Sequence, residues 1–193
     1  MRCFVAVELN SDFRAALVAA CCSHINTSSD VRWSSPAHLH VTLKFLGDLG
    51  AEELVPIFQV IRDAAERIEP FELTLGEFGG FPSARRPRVL WCGVNDELAG
   101  CARWVAYAEP RFEELGFEFE ERPFHAHITL ARARTDEGAR SLGRCLPGLH
   151  LRPTPKLRVE RIVLFESRLL PAGPEYKPLF TVALAGQGDL QLV

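Results

Sequence analysis

An eight-residue pattern occurs twice in this chain, and it constrains the possible folds more than any other feature of the sequence. Residues 38–45 read His-Leu-His-Val-Thr-Leu-Lys-Phe, and residues 125–132 read His-Ala-His-Ile-Thr-Leu-Ala-Arg. The two copies are 87 residues apart, counted from His40 to His127, which is close to half of the 193-residue chain. We therefore predict two similar halves, related by a pseudo-twofold axis, with the repeated segments opposite each other.

Each copy alternates polar and apolar residues, which is typical of a half-buried β-strand. Because residues two apart in a strand point to the same face, His40 and Thr42 are predicted to share one face. His127 and Thr129 repeat this arrangement, with apolar residues turned towards the core. Each half is thus predicted to present one imidazole and one hydroxyl.

The rest of the chain alternates segments typical of strands and helices. Strands are predicted near 2–9, 38–46, 71–78, 88–94, 117–121, 125–133, 157–166 and 178–184, and helices near 12–24, 52–68 and 96–115. Several neighbouring strands are joined by connections too short for a crossover helix, which favours antiparallel pairing. The sequence therefore predicts an α+β fold: one bilobal domain over residues 1–193, with mainly antiparallel sheets facing a central cleft and helices outside.

Composition excludes several classes of function. The net charge of −3 argues against binding a long nucleic-acid duplex through a broad basic surface, so any phosphate site must be local. The six cysteines lack the dense spacing of a disulfide scaffold, and no apolar run reaches the ~18 residues that a membrane span requires. We expect reduced thiols, no membrane association and a cytoplasmic monomer.

The repeated pattern resembles the signature of the two-histidine phosphoesterases, in which His-x-Thr-x occurs twice at about this separation, here at 40–43 and 127–130. Similarity to the RNA 2',3'-cyclic phosphodiesterase branch, also described as 2'-5' RNA ligase-like, extends to further segments. These are Trp33, Phe45-Leu46-Gly47, Arg122-Pro123-Phe124, Leu164-Phe165-Glu166-Ser167, and Gly173-Pro174 followed by Tyr176. One departure is Ala126, where such proteins often carry proline.

The resemblance implies hydrolysis of RNA 2',3'-cyclic phosphate ends to a 2'-phosphomonoester, without a metal or other cofactor, and reversible 2'-5' ligation by the same groups. The implied partners are RNA with such an end or a small cyclic nucleotide. His40 would be the proton donor and His127 the proton acceptor, a division that suits imidazole because its ordinary pKa is near neutrality.

The resemblance also implies substrate-binding residues. Thr42 and Thr129 would donate hydrogen bonds to the nonbridging phosphate oxygens. Arg132 would contact phosphate as well, although strict alternation turns it away from His127 unless a β-bulge or the strand end intervenes. Lys44 has the same parity as His40 and is a second candidate, with a solvated rim position as the simpler interpretation.

Aromatic side chains are candidates for stacking a nucleobase, because stacking tolerates any base. Those singled out are Phe4, Phe81 and Trp91, although a place in the core is the simpler interpretation for most of them.

Two other functions remain open from the residues alone. The two His-x-His pairs, at 38–40 and 125–127, could supply four imidazoles to zinc in a metal-dependent phosphoesterase. That hypothesis leaves both threonines unexplained, and neither eight-residue copy contains Asp or Glu. The chain could also be a noncatalytic RNA- or nucleotide-binding module whose histidines only contact phosphate.

Overall fold

The computed structural model describes residues 1–25, 28–151, 155–170, 173–185 and 191–192. The strands are β1 (Arg2–Glu8), β2 (Val31–Trp33), β3 (His40–Asp48), β4 (Phe71–Phe81), β5 (Val89–Asn95), β6 (His127–Ala133), β7 (Lys156–Val159), β8 (Arg161–Leu170), β9 (Gly173–Ala183) and β10 (Gln191–Leu192). The helices are α1 (Ser11–Cys21), α2 (Leu54–Ala65), α3 (Gly100–Glu114) and α4 (Asp136–Cys145).

The strands form one curled antiparallel sheet, in the order β10-β9-β8-β1-β3-β6-β5-β4-β7, with β2 also paired to β6. The two motif strands, β3 and β6, are neighbours in the middle of this sheet and pair through Val41 and Ile128. The predicted α+β class and antiparallel pairing are therefore confirmed. The two halves meet edge to edge at the motif strands.

The strand order is symmetric about the β3–β6 pair. Moving outward, β1 corresponds to β5, and β8 corresponds to β4. A shift of 87 residues carries Arg2–Glu8 onto residues 89–95, which are the bounds of β5, and carries His40 onto His127. Because β4 pairs with β5 and β8 with β1, each half lends one strand to the other. The predicted pseudo-twofold repeat is thus present in the strand order.

The two faces of the sheet have different surroundings. One face packs against the helices and forms the main core, in which strand residues such as Val5, Val7, Val41 and Ile128 are buried. Because alternate strand residues point to opposite faces, Phe4 and Ala6 lie on the other side, in a smaller apolar cluster. Among the described residues, no helix has the length and apolar character that crossing a membrane requires.

The segment between α3 and β6 forms no regular element, whereas a strand was predicted near 117–121. Contacts to side chains hold it instead. The ammonium of Lys44 donates to the carbonyl of Glu118 at 2.6 Å, and the carboxylate of Glu109 accepts from the backbone N–H of Glu120 at 2.8 Å. These bonds satisfy backbone groups that strand pairing would otherwise have to satisfy.

Candidate active site

The two motif imidazoles are held by the same interaction. His40 and His127 are the first residues of β3 and β6, and each Nδ1–H donates to the backbone carbonyl two residues earlier, at 2.7 Å in both halves. A carbonyl can only accept, so Nδ1 carries the proton of the neutral ring. This fixes the tautomer and leaves Nε2 available for chemistry in each half.

Both imidazoles have lowered pKa values. Burial lowers the pKa of His40 to about 4 and also lowers the pKa of His127. The hydrogen bond to the carbonyl opposes this effect in each case, whereas the positive charge of Arg132 adds to it. The charge of His127 also acts on His40, so the rings lie within electrostatic range of each other. Neutral imidazoles therefore predominate near pH 7 in the free protein, and a bound anion would raise both pKa values.

The threonines lie on the same face as the histidines. Thr42 pairs with Ala6 across β1 and β3, and Thr129 pairs with Trp91 across β5 and β6. Both threonines are half-buried. The carbonyl of Thr129 accepts from the hydroxyl of Ser34 at 3.0 Å, which anchors the backbone of β6 beside the site. This face of the curled sheet, called the groove face below, thus carries two imidazoles and two hydroxyls.

A β-bulge in β6 determines where Arg132 points. Leu130 is an extra residue between the pairs that Thr129 and Ala131 form with β5. Leu130 and Ala131 are both buried, and the alternation resumes with Arg132 on the groove face. Its charge lowers the pKa of both motif histidines, which agrees with a position near both rings. The β-bulge on which the prediction for Arg132 depended is therefore present.

The equivalent bulge in β3 moves Lys44 away from the site. Leu43 is the extra residue there, so Lys44 pairs with Val5 on the helix side of the sheet. Its ammonium forms a buried ion pair with Glu109 of α3 and donates to the carbonyl of Glu118. The inference that Lys44 shares a face with the motif histidine, which assumed unbroken alternation, is wrong.

Phe45 takes the position in the first half that Arg132 takes in the second, since each lies five residues after its motif histidine. Phe45 pairs with Phe4, and the two ring centroids are 6.2 Å apart on the groove face. Its side chain is 66% exposed. The twofold repeat is therefore broken chemically, with a cation in one half and an apolar ring in the other.

Aromatic rings enclose the imidazole of His40. Phe4 packs against it with centroids 4.7 Å apart, and Tyr176 of β9 stands edge-on at 5.4 Å. A cavity of about 130 Å³ opens beside these rings and is lined in part by His38 and Arg14. The position of Tyr176 could not be derived from its own neighbourhood in the sequence, because it depends on the order of β9, β8 and β1 in the sheet.

A second aromatic group lies beside His127. The ring centroids of Phe81 and Trp91 are 5.4 and 6.1 Å from that of His127. The indole of Trp91 lies over Gly79, where an added Cβ would approach the ring to 2.1 Å, so only glycine leaves room for it. Of the stacking candidates, Phe81 and Trp91 flank one imidazole and Phe4 flanks the other.

The remaining histidines of the two His-x-His pairs turn towards aromatic neighbours. The ring of His38 lies 4.9 Å from Tyr176, and that of His125 lies 5.0 Å from Trp91. Within the described ranges, no group of three or more His, Cys, Asp or Glu side chains is arranged to hold a metal ion. The donor set that a zinc site would need does not assemble from these residues.

The internal repeat coincides with a known family. The family model described as LigT like Phosphoesterase matches this chain twice, over residues 7–91 and 93–176, once in each half. The chain belongs to the LigT-like phosphoesterase family. The predicted resemblance to two-histidine phosphoesterases is thereby confirmed.

Relatives with known names match over most of the chain. An RNA 2',3'-cyclic phosphodiesterase of Thermus thermophilus is 34% identical over 194 residues, covering 97% of this chain and 92% of the relative. An RNA 2',3'-cyclic phosphodiesterase of Methanothermobacter thermautotrophicus is 32% identical over 178 residues, covering 91% and 95%.

Solved structures share the fold. TT0787 of Thermus thermophilus matches with a TM-score of 0.79 at 30% identity, covering 97% of this chain and all of that one. LigT of E. coli, crystallised with 3'-AMP, matches with a TM-score of 0.74 at 26% identity, covering 95% and 97%. The architecture of this LigT-like phosphoesterase is therefore that of its structural neighbours.

Proposed function

We propose that this protein hydrolyses the 2',3'-cyclic phosphate ends of RNA to 2'-phosphomonoesters by metal-independent acid–base catalysis. The observation that carries the proposal is the matched pair of His40 and His127. Each ring is held through Nδ1 by a backbone carbonyl, and each is followed by a threonine on the same strand face. The names of the relatives support the substrate class.

Opening the cyclic phosphate needs a base for the attacking water and an acid for the departing ribose oxygen, on opposite sides of phosphorus. Two imidazoles with free Nε2 atoms, contributed by adjacent strands, suit this division. In our proposal Nε2 of His127 accepts the proton of water, and Nε2–H of His40 protonates the departing 3' oxygen. The bond from phosphorus to the 3' oxygen breaks, and the phosphate remains on the 2' oxygen.

The lowered pKa of His40 makes this ring a poor reservoir of protons in the free protein. A phosphodiester carries one negative charge, and an anion beside an imidazole favours its protonated form. Substrate binding would therefore supply the protonated His40 that the reaction requires. Thr42, Thr129 and Arg132 would hold the nonbridging oxygens, where charged and hydroxyl donors stabilise negative charge without metal.

The assignment of acid and base can be tested with a substrate whose 3' bridging oxygen is replaced by sulfur. A thiolate leaves without protonation, so a protein that lacks only its general acid should recover activity on this substrate. We expect His40→Ala to recover most of its lost rate and His127→Ala to recover little. The opposite result would exchange the two roles and leave the two-histidine mechanism in place.

A noncatalytic binding module would also place two imidazoles and an arginine beside a phosphate. Incubation of the pure protein with adenosine 2',3'-cyclic phosphate separates the two functions. We expect multiple turnovers to 2'-AMP, identified by ³¹P NMR. Binding without turnover would favour the module, and formation of 3'-AMP would contradict the proposed direction of cleavage.

The structural neighbours support a nucleotide phosphate as the ligand, since LigT of E. coli has been crystallised with 3'-AMP and with phosphate. The aromatic groups beside His40 and His127 could stack the base of such a ligand. With the 5' hydroxyl of a second RNA end in place of water, the same pair of histidines would join the cyclic phosphate end to it through a 2'-5' linkage, because the bond from phosphorus to the 3' oxygen breaks in the same way. Action as a monomer in the cytoplasm stays a prediction.

A further inference from the structure

Two arginines face each other across the strands at the end of the motif. Arg32 of β2 and Arg132 of β6 are direct partners in the antiparallel pair. Residues in such positions project from the same face, with Cβ atoms about 5 Å apart. Since Arg132 lies on the groove face, Arg32 does too, and both are exposed. Like charges placed directly opposite each other in a sheet destabilise it.

Neither member of this arginine pair forms an ion pair with a carboxylate in the part of the chain that the structure describes. Many other exposed arginines do have such a partner. Examples are Arg88 with Asp136, Arg122 with Glu120, Arg140 and Arg144 with Glu137, and Arg158 with Glu160. The pair therefore concentrates positive charge in a protein whose net charge is −3.

The two arginines occupy different positions in the groove. Arg132 is the arginine whose charge acts on both motif histidines. Arg32 reaches towards the start of β9, where its Nη2 lies 3.6 Å from the place that a Cβ on Gly173 would take. The side chain of Tyr176 links the two positions, because both arginine charges act on it and its ring stands edge-on to the imidazole of His40.

We propose that Arg32 binds a second phosphate of the RNA, the 5' phosphate of the terminal nucleotide, while Arg132 holds the reacting phosphate. This inference rests on the proposed function. A guanidinium binds phosphate through two parallel N–H donors, and anions bound to both arginines would offset their mutual repulsion. Apart from the reacting group, the nearest phosphate in an RNA end is the one on the 5' side of the same nucleotide.

The substrate class follows from this geometry. The enzyme should favour RNA ends, or cyclic nucleotides that carry a 5' phosphate, over nucleoside 2',3'-cyclic phosphates that lack one. The preference should appear mainly in KM, because Arg32 contacts a phosphate that does not react.

The test compares adenosine 2',3'-cyclic phosphate with the same compound carrying a 5' phosphate, so that the base and the reacting group stay constant. For the wild type we expect kcat/KM to be higher on the 5'-phosphorylated substrate by about tenfold or more, the range of a hydrogen bond between charged groups. Arg32→Gln should reduce that ratio to about twofold or less. Arg103→Gln, which removes an exposed arginine from α3, should keep the wild-type ratio.

Salt dependence gives an independent measure. One more phosphate contact should steepen the fall of log kcat/KM with log salt concentration by about 0.7, and Arg32→Gln should remove that increment. Failure of the wild type to turn over either substrate would refute the proposed function itself. Turnover of both substrates without a preference, or an equal loss on both in Arg32→Gln, would overturn the role of Arg32.

Discussion

Lys44 and Glu109 form an ion pair buried between β3 and α3, on the opposite side of β3 from the imidazole of His40. Lys44 is 8% exposed and Glu109 is 7% exposed. The pair also fixes the backbone of the segment before β6, through the carbonyl of Glu118 and the N–H of Glu120. A charged side chain in the first eight-residue copy thus holds the chain segment that leads into the second copy.

Removing one partner should destabilise the protein strongly. Glu109→Leu leaves the ammonium of Lys44 buried without its counter-charge, and we expect a loss of about 3–5 kcal/mol in the free energy of unfolding, measured with urea. The double variant Lys44→Met with Glu109→Leu should recover part of this loss, because no unpaired charge remains. A loss below about 1 kcal/mol in the free energy of unfolding of Glu109→Leu would show that the ion pair is solvated.

The two motif histidines should matter far more for the rate of hydrolysis than the histidines two residues before them. His40→Ala and His127→Ala should each lower kcat by at least ~100-fold, the usual contribution of a positioned acid or base. The variant that lacks both histidines should lose much less activity than the product of the two single losses, since the two rings act as a unit. His38→Ala and His125→Ala are matched controls, because it is their backbone carbonyls that hold the motif rings. Equal damage from His38→Ala and His40→Ala would favour the metal-dependent alternative.

The pH dependence of kcat/KM should be bell-shaped and displaced to acidic pH. One imidazole must be neutral and the other protonated, and kcat/KM reports the free protein, in which both pKa values lie below the ordinary 6.5. We expect its optimum below pH 6.5 and the optimum of kcat at higher pH, because the bound phosphate raises both pKa values. An optimum of kcat/KM above pH 7.5 would be incompatible with the buried rings.

Arg132 should affect both rate and titration. In our proposal Arg132→Gln removes a donor from the reacting phosphate, and it also removes a positive charge that lowers both histidine pKa values. We expect a lower kcat/KM and a shift of the whole bell to higher pH. A lower rate with an unchanged profile would place this guanidinium away from the imidazoles.

The threonine hydroxyls can be tested with closely matched side chains. Thr42→Val and Thr129→Val keep the shape but remove the donor, and each should cost about 2–4 kcal/mol of transition-state stabilisation in kcat/KM. Thr42→Ser and Thr129→Ser keep the hydroxyl and should retain most of the activity. Similar losses in the serine and valine variants would indicate packing as the role of these residues.

The parts of this fold that the sequence predicted are those encoded locally or by repetition. The period of two in each motif correctly placed Thr42 with His40, and the 87-residue repeat predicted two similar halves with the motif strands opposite each other. It did not predict that β3 and β6 pair as neighbours within one sheet. α4 was not predicted because Asp136–Cys145 is polar, and it begins with a cap in which the hydroxyl of Thr135 accepts from the N–H of Gly138.

The rest depended on strand pairing, which a single sequence does not reveal. The bulges at Leu43 and Leu130 depend on how β1 and β5 align with the motif strands. They place Lys44 on the helix side of the sheet and Arg132 on the groove face. The position of Arg32 follows in the same way from the pairing of β2 with β6. The alternation of side chains along a strand predicts the face to which each side chain points only as far as the first bulge.

The proposal that two imidazoles suffice for the reaction can be decided by measuring hydrolysis of adenosine 2',3'-cyclic phosphate before and after exhaustive chelation, with the metal content of the same samples determined. We predict an unchanged kcat in metal-free protein, with 2'-AMP as the product and at least ~100-fold lower rates in His40→Ala and His127→Ala. Loss of activity on chelation, restored by stoichiometric zinc, would contradict it.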